Sequence, residues 1–149
     1  MKRKHLIFLF LGLISVGLFA SGIDYNRRVN DLGGILSSSE EQSLSSYLTQ
    51  IEEKTSAQVA LLIIKSLEGE NLEDYSLRIL ENWGKKKGLG QKDRDNGVLL
   101  LVALRDRKIR IEVGYGLEPI LPDGKCGYII RNLIAPAFKR GDYYGGLRA

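Results

Sequence analysis

The sequence predicts an α/β fold, a three-layer α/β/α sandwich in which helices cover both faces of a small mixed sheet. Two apolar runs of strand length, residues 58–64 and 98–103, flank a stretch with helical spacing, which predicts a right-handed parallel crossover. Apolar and polar residues alternate over 108–113, directly after a tight turn, so this segment predicts an antiparallel partner with one solvated face. A chain of 149 residues has the size of one domain.

Three helices complete the predicted layers. Ser37 and Glu40 fit a capping box, and the first helix is expected to run from there to about Thr55. Apolar residues at helical spacing predict a second helix over 72–84 and a third over 129–138. Along the chain, the first helix precedes the strand 58–64, and the second helix lies between that strand and the strand 98–103.

The N-terminus has the pattern of an export signal. Lys2, Arg3 and Lys4 precede the apolar run Leu6–Phe19, and small residues follow at Ala20–Gly22. We expect residues 1–22 to be a cleaved signal peptide and residues 23–149 to be the mature domain; the alternative is an uncleaved anchor, although a bilayer span needs roughly 20 apolar residues. The expected location is the periplasm or the outer face of the cytoplasmic membrane. We also expect the domain to continue beyond Ala149.

Charge and histidine content exclude several classes of function. Three of the 22 basic residues lie in the leader and the chain has 18 acidic residues, which leaves a formal charge of +1 after cleavage and no basic face for nucleic acid. His5, the only histidine, is also in the leader. Its loss excludes a Ser-His-Asp triad, a Cys-His dyad and a histidine-liganded zinc site. The single cysteine, Cys126, is predicted to be a small core residue.

The predicted hairpin brings two turn segments to one edge of the sheet. If its turn centres near Asp106, Val98 pairs with about Val113, because the strands are antiparallel. The loop 93–97 before one strand then meets the loop 114–116 after the other.

The converging loops carry oxygen ligands of the kind that Ca²⁺ and Mg²⁺ prefer. They offer the carboxylate of Asp95, the amide of Asn96 and the phenol of Tyr115. Asp95 is the first candidate. The alternative is that Asp95-Asn96-Gly97 serves only as a turn, in which the aspartate accepts local backbone bonds and the glycine supplies a positive φ.

Taken together, several segments of the chain resemble the TPM domain family, whose members include a thylakoid-lumen acid phosphatase, a photosystem II repair protein and a nicotinic-receptor modulator. The resemblance covers about residues 29–147. The segments that carry it are Val29-Asn30-Asp31, Gly34-Ile35-Leu36-Ser37, Ala57-Gln58-Val59-Ala60, Trp83-Gly84, the run from Asp95 to Val102, the run from Arg110 to Glu118, and Gly141-Asp142-Tyr143.

The resemblance implies a divalent cation near the Asp-Asn-Gly turn, calcium in preference to magnesium. Carried over by position, Asp31, Asp123 and Asp142 match the other recurrent acids of the family and join Asp95, Asn96 and Tyr115 as candidate metal ligands.

Two functions are consistent with these residues. The first is an exported interaction or repair and assembly domain with a membrane protein or an envelope complex as partner. The alternative is a slow, metal-dependent acid phosphatase that hydrolyses phosphomonoesters, with Asp95 and Asp123 as the catalytic candidates. We expect the interaction domain, because the mature sequence offers few groups for proton transfer.

Overall fold

A computed structural model describes residues 22–87 and 89–149. The predicted signal peptide, up to residue 21, lies outside the described residues. In chain order the elements are β1 Val29–Asp31, α1 Ser38–Thr55, β2 Gln58–Ile64, α2 Leu72–Lys87, β3 Gly97–Ala103, β4 Lys108–Val113, a 3₁₀ turn Tyr115–Leu117, α3 Asp123–Ile129, a π-helical segment Ile130–Ile134, α4 Ala135–Lys139 and α5 Tyr143–Arg148.

The sheet has four strands in the order β1-β2-β3-β4. Strand β2 pairs in parallel with β1 and with β3, whereas β3 and β4 are antiparallel. Val98 pairs with Val113, as the predicted turn requires, and the mixed α/β fold is confirmed.

Helices pack on both faces of the sheet. One face meets α1 and the C-terminal helices, and its buried residues include Leu44, Leu48 and Val102. The other face meets α2, where Ile79 and Trp83 pack against the alternate residues of β2 and β3. Helices therefore cover both faces of the central strands β2 and β3, which explains why the sequences of these strands are apolar throughout.

The capping box at the start of α1 is confirmed. The Ser37 side chain accepts from the Glu40 backbone N–H at 3.2 Å, and the Glu40 carboxylate accepts from the Ser37 backbone N–H at 2.8 Å. These bonds satisfy two donors that no helical carbonyl reaches, and they fix where the helix begins.

Several boundaries differ from those predicted. The turn-rich stretch before Ser37 contains strand β1, which is too short to show alternation. Helix α2 passes through Gly84 and ends at Lys87, and the helical segment predicted to begin at Ile129 begins at Asp123.

Within the described part of the chain, no helix combines the length and apolar character needed to cross a membrane.

Candidate functional site

Two amide side chains hold the loop that precedes β3. The buried Asn96 donates to the Ser56 carbonyl at 2.8 Å and accepts from the Gln91 backbone N–H at 2.7 Å. Gln58 accepts from the Gly90 backbone N–H at 2.7 Å and donates to Glu52 at 2.8 Å. The loop is therefore tied to the junction between α1 and β2.

Asp95 lies at the exposed bend of this loop in the left-handed region, with φ of 45°. The turn interpretation assigned the positive φ to Gly97, which does not adopt one. Gly97 is glycine for a different reason, because a Cβ there would lie 2.8 Å from the Leu89 carbonyl oxygen. Aspartate tolerates the left-handed region better than most residues, so its identity has a conformational reason as well as a chemical one.

The loop after β4 lies directly against the Asp95 loop. The Gly116 N–H donates to the Asp95 carbonyl at 3.1 Å, and the Gly114 N–H donates to the Gly97 carbonyl at 2.8 Å. Side chains at Gly114 and Gly116 would collide with the carbonyl oxygens of Asp95 and Arg94. The predicted convergence is thus present, and between the two glycines Tyr115 is 80% exposed.

An open cleft of about 1130 Å³ lies at this edge of the sheet. Four carboxylates, those of Glu81, Asp95, Glu112 and Glu118, are among its lining residues. Leu77 and Tyr115 give it exposed apolar surface. We call this feature the acidic cleft.

Among the described carboxylates of the cleft, Glu112 is the one held by side-chain hydrogen bonds. Its carboxylate accepts from the buried Ser76 hydroxyl at 2.8 Å and from Arg110 Nε at 2.7 Å. Burial lowers the pKa of Arg110, but the hydrogen bond and charge of Glu112 outweigh that effect and leave the pKa raised. The ion pair lies within β4, and the Ser76 hydroxyl ties Glu112 to α2. Glu112 is thus held in place where it lines the cleft.

The sequence interpretation did not select Glu112, Glu81 or Glu118. Glu112 occupies a polar position in the alternating strand, where a solvated side chain is the ordinary expectation. Its opposition to Ser76 of α2 depends on how the helix packs, which no short motif encodes. Its position in the sequence could have indicated it, because Glu112 lies just before the loop 114–116 that was predicted to meet the Asp95 loop.

The remaining predicted ligands do not join Asp95 and Tyr115. The Asp31 carboxylate accepts from the Gly34 and Leu36 backbone N–H groups, both at 2.8 Å, at the opposite end of the parallel strands. Asp142 caps α5 by accepting from the Gly145 N–H at 2.9 Å. Asp123 is exposed in the first turn of α3 and does not line the acidic cleft.

These placements define which residues could hold a cation. Asn96 has both amide atoms engaged and Asp31 both oxygens, whereas Asp95 and Tyr115 are exposed on one cleft. Among residues 22–87 and 89–149, no three acidic, cysteine or histidine side chains lie close enough to form a metal site. Of the predicted ligands, Asp95 and Tyr115 are the two that line the cleft, and a cation there would need backbone carbonyls and water to complete its shell.

Cys126 is buried, as predicted, with its thiol 3.8 Å from the Leu121 carbonyl oxygen. Burial raises the pKa of the thiol, and the charge of Asp123 adds to that effect. A buried thiol with a raised pKa is a poor nucleophile at neutral pH.

Comparison with known proteins identifies a family whose profile matches most of this sequence. The profile of the TPM domain matches residues 29–149. Among curated proteins none matches.

Solved structures share the fold. The N-terminal domain of a protein from P. gingivalis is 35% identical with a TM-score of 0.74, over 84% of this chain and 77% of that one. The N-terminal domain of the cg2496 protein from Corynebacterium glutamicum is 17% identical with a TM-score of 0.63, over 84% of this chain and 75% of that one. The BA42 protein from Bizionia argentinensis is 23% identical with a TM-score of 0.63, over 76% of this chain and 74% of that one. The last two similarities concern the fold alone.

Proposed function

This chain belongs to the TPM domain family, and we propose that it is an exported interaction domain that binds a divalent cation at the acidic cleft, calcium in preference to magnesium. The observation that carries the proposal is the convergence of the Asp95 and Tyr115 loops at a cleft lined by four carboxylates, of which Asp95 is one. The predicted partner is a membrane protein or an envelope complex.

Charge supports the cation. Among the described lining residues of the acidic cleft, Lys92 is the one basic side chain against four acidic ones. Glu112 is already paired with Arg110, and among the described residues no ion pair involves the other three carboxylates. Carboxylates gathered around a concave surface concentrate negative potential, which attracts cations. When bound, a cation would neutralise part of this negative charge and hold the Asp95 and Tyr115 loops together.

Calcium suits this set of groups better than magnesium. Calcium accepts six to eight oxygen ligands at flexible positions, including carbonyls and waters, whereas magnesium demands a nearly ideal octahedron. Asp95 is exposed on a loop rather than fixed in a buried ring of acids. A flexible coordination shell is therefore the better match.

Exposed apolar side chains support the interaction role. Tyr115 is 80% exposed and Leu77 is 47% exposed, and both line the acidic cleft. Aromatic residues are enriched at protein interfaces because they combine a large apolar area with a polar atom. A partner that covers Tyr115 would also cover the cation.

The phosphatase alternative is not favoured. It pairs Asp95 with Asp123, and Asp123 is not a lining residue of the acidic cleft. Cys126, the one thiol, is buried among core residues and cannot serve as an exposed nucleophile.

Thermal unfolding with and without cations tests the site. We expect Ca²⁺ at about 100 times its dissociation constant to stabilise the protein by roughly 2.7 kcal/mol relative to EDTA, and Mg²⁺ to stabilise it less. Asp95→Asn keeps a residue that tolerates the left-handed region and should abolish the increase. Asp93→Asn is the matched control, because Asp93 is exposed in the same loop but does not line the cleft. No cation-dependent shift, or an equal shift in both variants, would contradict the cation proposal.

Two further assays separate the interaction role from hydrolysis. Tyr115→Ala should reduce calcium-dependent cross-linking to envelope membranes without lowering the melting temperature, because the side chain is mostly exposed. Hydrolysis of p-nitrophenyl phosphate that disappears in Asp95→Asn and persists in Asp93→Asn would instead establish the phosphatase.

A further inference from the structure

A second pocket lies at the other end of the sheet from the acidic cleft. It has a volume of about 520 Å³ and sits where the turn between β3 and β4 meets the C-terminal helices. Its rim carries Arg107, Lys108 and Lys139, and its walls include Leu104, Phe138 and Tyr143. We call it the basic pocket.

The charge of the basic pocket is of one sign. No acidic residue is among its described lining residues. The ion pairs of the described chain involve Arg27, Arg28, Arg78 and Arg110, and none involves the three cations of this rim.

Neighbouring acids are already bonded to the backbone. Asp106, beside Arg107, accepts from the Leu67 N–H at 2.8 Å. Asp142, beside Tyr143, accepts from the Gly145 N–H at 2.9 Å. Each of these carboxylates is therefore held toward a backbone donor, and neither forms an ion pair with the rim.

Two carbonyls at the helix end beside the pocket are already engaged by backbone donors. The Ala137 carbonyl accepts from the Arg140 and Asp142 N–H groups, each at 3.0 Å. The Phe138 carbonyl accepts from the Gly141 N–H at 2.9 Å. Lys139 is thus an exposed residue at the end of α4, and none of the ion pairs of the described chain involves it.

The walls of the pocket are apolar and preformed. Phe138 and Tyr143 contact each other edge to face, with ring centroids 5.1 Å apart and planes at 71°. Leu104 and Phe138 also pack against the core on that face of the sheet, so the walls are anchored. A volume of this size falls within the range of small-molecule sites, roughly 300–1000 Å³.

We propose that the basic pocket binds a small organic anion with an aromatic or aliphatic body. The anionic group would meet Arg107, Lys108 and Lys139 at the rim, and the apolar body would lie against Leu104, Phe138 and Tyr143. Charge selects the head of the ligand, and removal of the apolar walls from water on binding selects its body. The site is independent of the acidic cleft and of any cation bound there.

Titration of the ¹⁵N-labelled protein with naphthalene-2-sulfonate tests the proposal by NMR. Saturable shifts should appear in the amides of residues 104–109 and 138–143. 2-Naphthyltrimethylammonium, which has the same ring system and the opposite charge, and methanesulfonate, which lacks the ring, should each bind at least tenfold more weakly.

A charge-matched pair of variants completes the test. The double variant Arg107→Gln/Lys139→Gln should weaken naphthalene-2-sulfonate binding about tenfold. Arg105→Gln/Arg140→Gln removes two exposed cations that do not line the pocket and should leave binding within twofold. Equal losses in both double variants, shifts that map elsewhere, equal binding of the two naphthalene probes, or no saturable shift would each overturn the proposal. Unchanged melting temperatures confirm that both double variants are folded.

Discussion

Asn96 and Asp95 are adjacent residues with opposite roles. Asn96 is 5% exposed and uses both its donor and its acceptor within the protein. Asp95 is exposed, and its backbone rather than its carboxylate makes the bond to the neighbouring loop. The family motif therefore combines one residue that builds the loop with one that faces solvent.

Exchange of the amide of Asn96 for a carboxylate should destabilise the fold. Asn96→Asp cannot donate to the Ser56 carbonyl and would place a buried charge beside it, so we expect a loss of about 2 kcal/mol or more in urea unfolding. The control is Asn71→Asp. Asn71 only accepts, from the Glu73 and Asp74 N–H groups at 2.9 and 3.0 Å, and aspartate caps a helix equally well. Equal effects in the two variants would refute the role assigned to Asn96.

Among the helices and strands, those with a regular apolar pattern could be predicted from the sequence. The two apolar runs and the alternating strand correctly gave β2, β3 and β4, and the short turn gave the register of Val98 with Val113. That register sufficed to bring Asp95 and Tyr115 together. The elements missed or misplaced are those whose signals are weak, namely the three-residue β1 and the start of α3, where glycines at 124 and 127 lower helix propensity.

The rest of the site could not be predicted because it depends on packing. Asp31, Asp123 and Asp142 share a residue type with Asp95 but lie on elements that end elsewhere, and two of them satisfy local backbone donors. Glu112 enters the acidic cleft through its contact with Ser76 across two elements. The spacing of residues along the chain predicts neither the separation of these aspartates nor the position of Glu112.

The contact between the two cleft loops should be sensitive to a single methyl group. Gly116→Ala would place a Cβ against the Arg94 carbonyl oxygen, and backbone cannot rotate away as a flexible side chain can. We expect a loss of about 1–3 kcal/mol in urea unfolding, together with shifted Asp95 and Tyr115 amide resonances. At Gly124 nothing lies within 4 Å of an added Cβ, so Gly124→Ala should cause no loss. A silent Gly116→Ala would mean that the loops are less closely apposed than described.

At the scale of the whole molecule, opposite charges are separated by the length of the sheet. The acidic cleft lies where β3 begins and the basic pocket where it ends, and a strand of seven residues spans about 20 Å. At that separation, salt at physiological concentration screens one site from the other, so the two can bind independently.

Global stability should decrease in alkali. Burial raises the pKa of Cys126 above its ordinary 9.0 and that of Tyr75 above 10.0, with Asp123 and Glu70 respectively adding to the shift. Both groups stabilise the fold fully below their unfolded pKa values, and this contribution is lost as pH rises through the folded ones. The free energy of unfolding should therefore decrease from about pH 9 upward.

Variants assign this alkaline loss. Cys126→Ala and Tyr75→Phe should each reduce the difference in unfolding free energy between pH 7.5 and pH 10.5, measured in urea. Tyr47→Phe is the control, because it removes the same phenol hydroxyl from a tyrosine on α1. A pH dependence that is identical in all of these proteins would show that neither Cys126 nor Tyr75 is responsible.

The order of the strands in the sheet is also their order along the chain. Each new strand therefore pairs with the one made immediately before it, and no strand has to be inserted between two that have already paired. Such a topology keeps interacting segments close in sequence, which favours rapid folding. A chain that emerges N-terminus first from a ribosome or a translocation channel can thus assemble its sheet progressively, since the partner of its newest strand is already present.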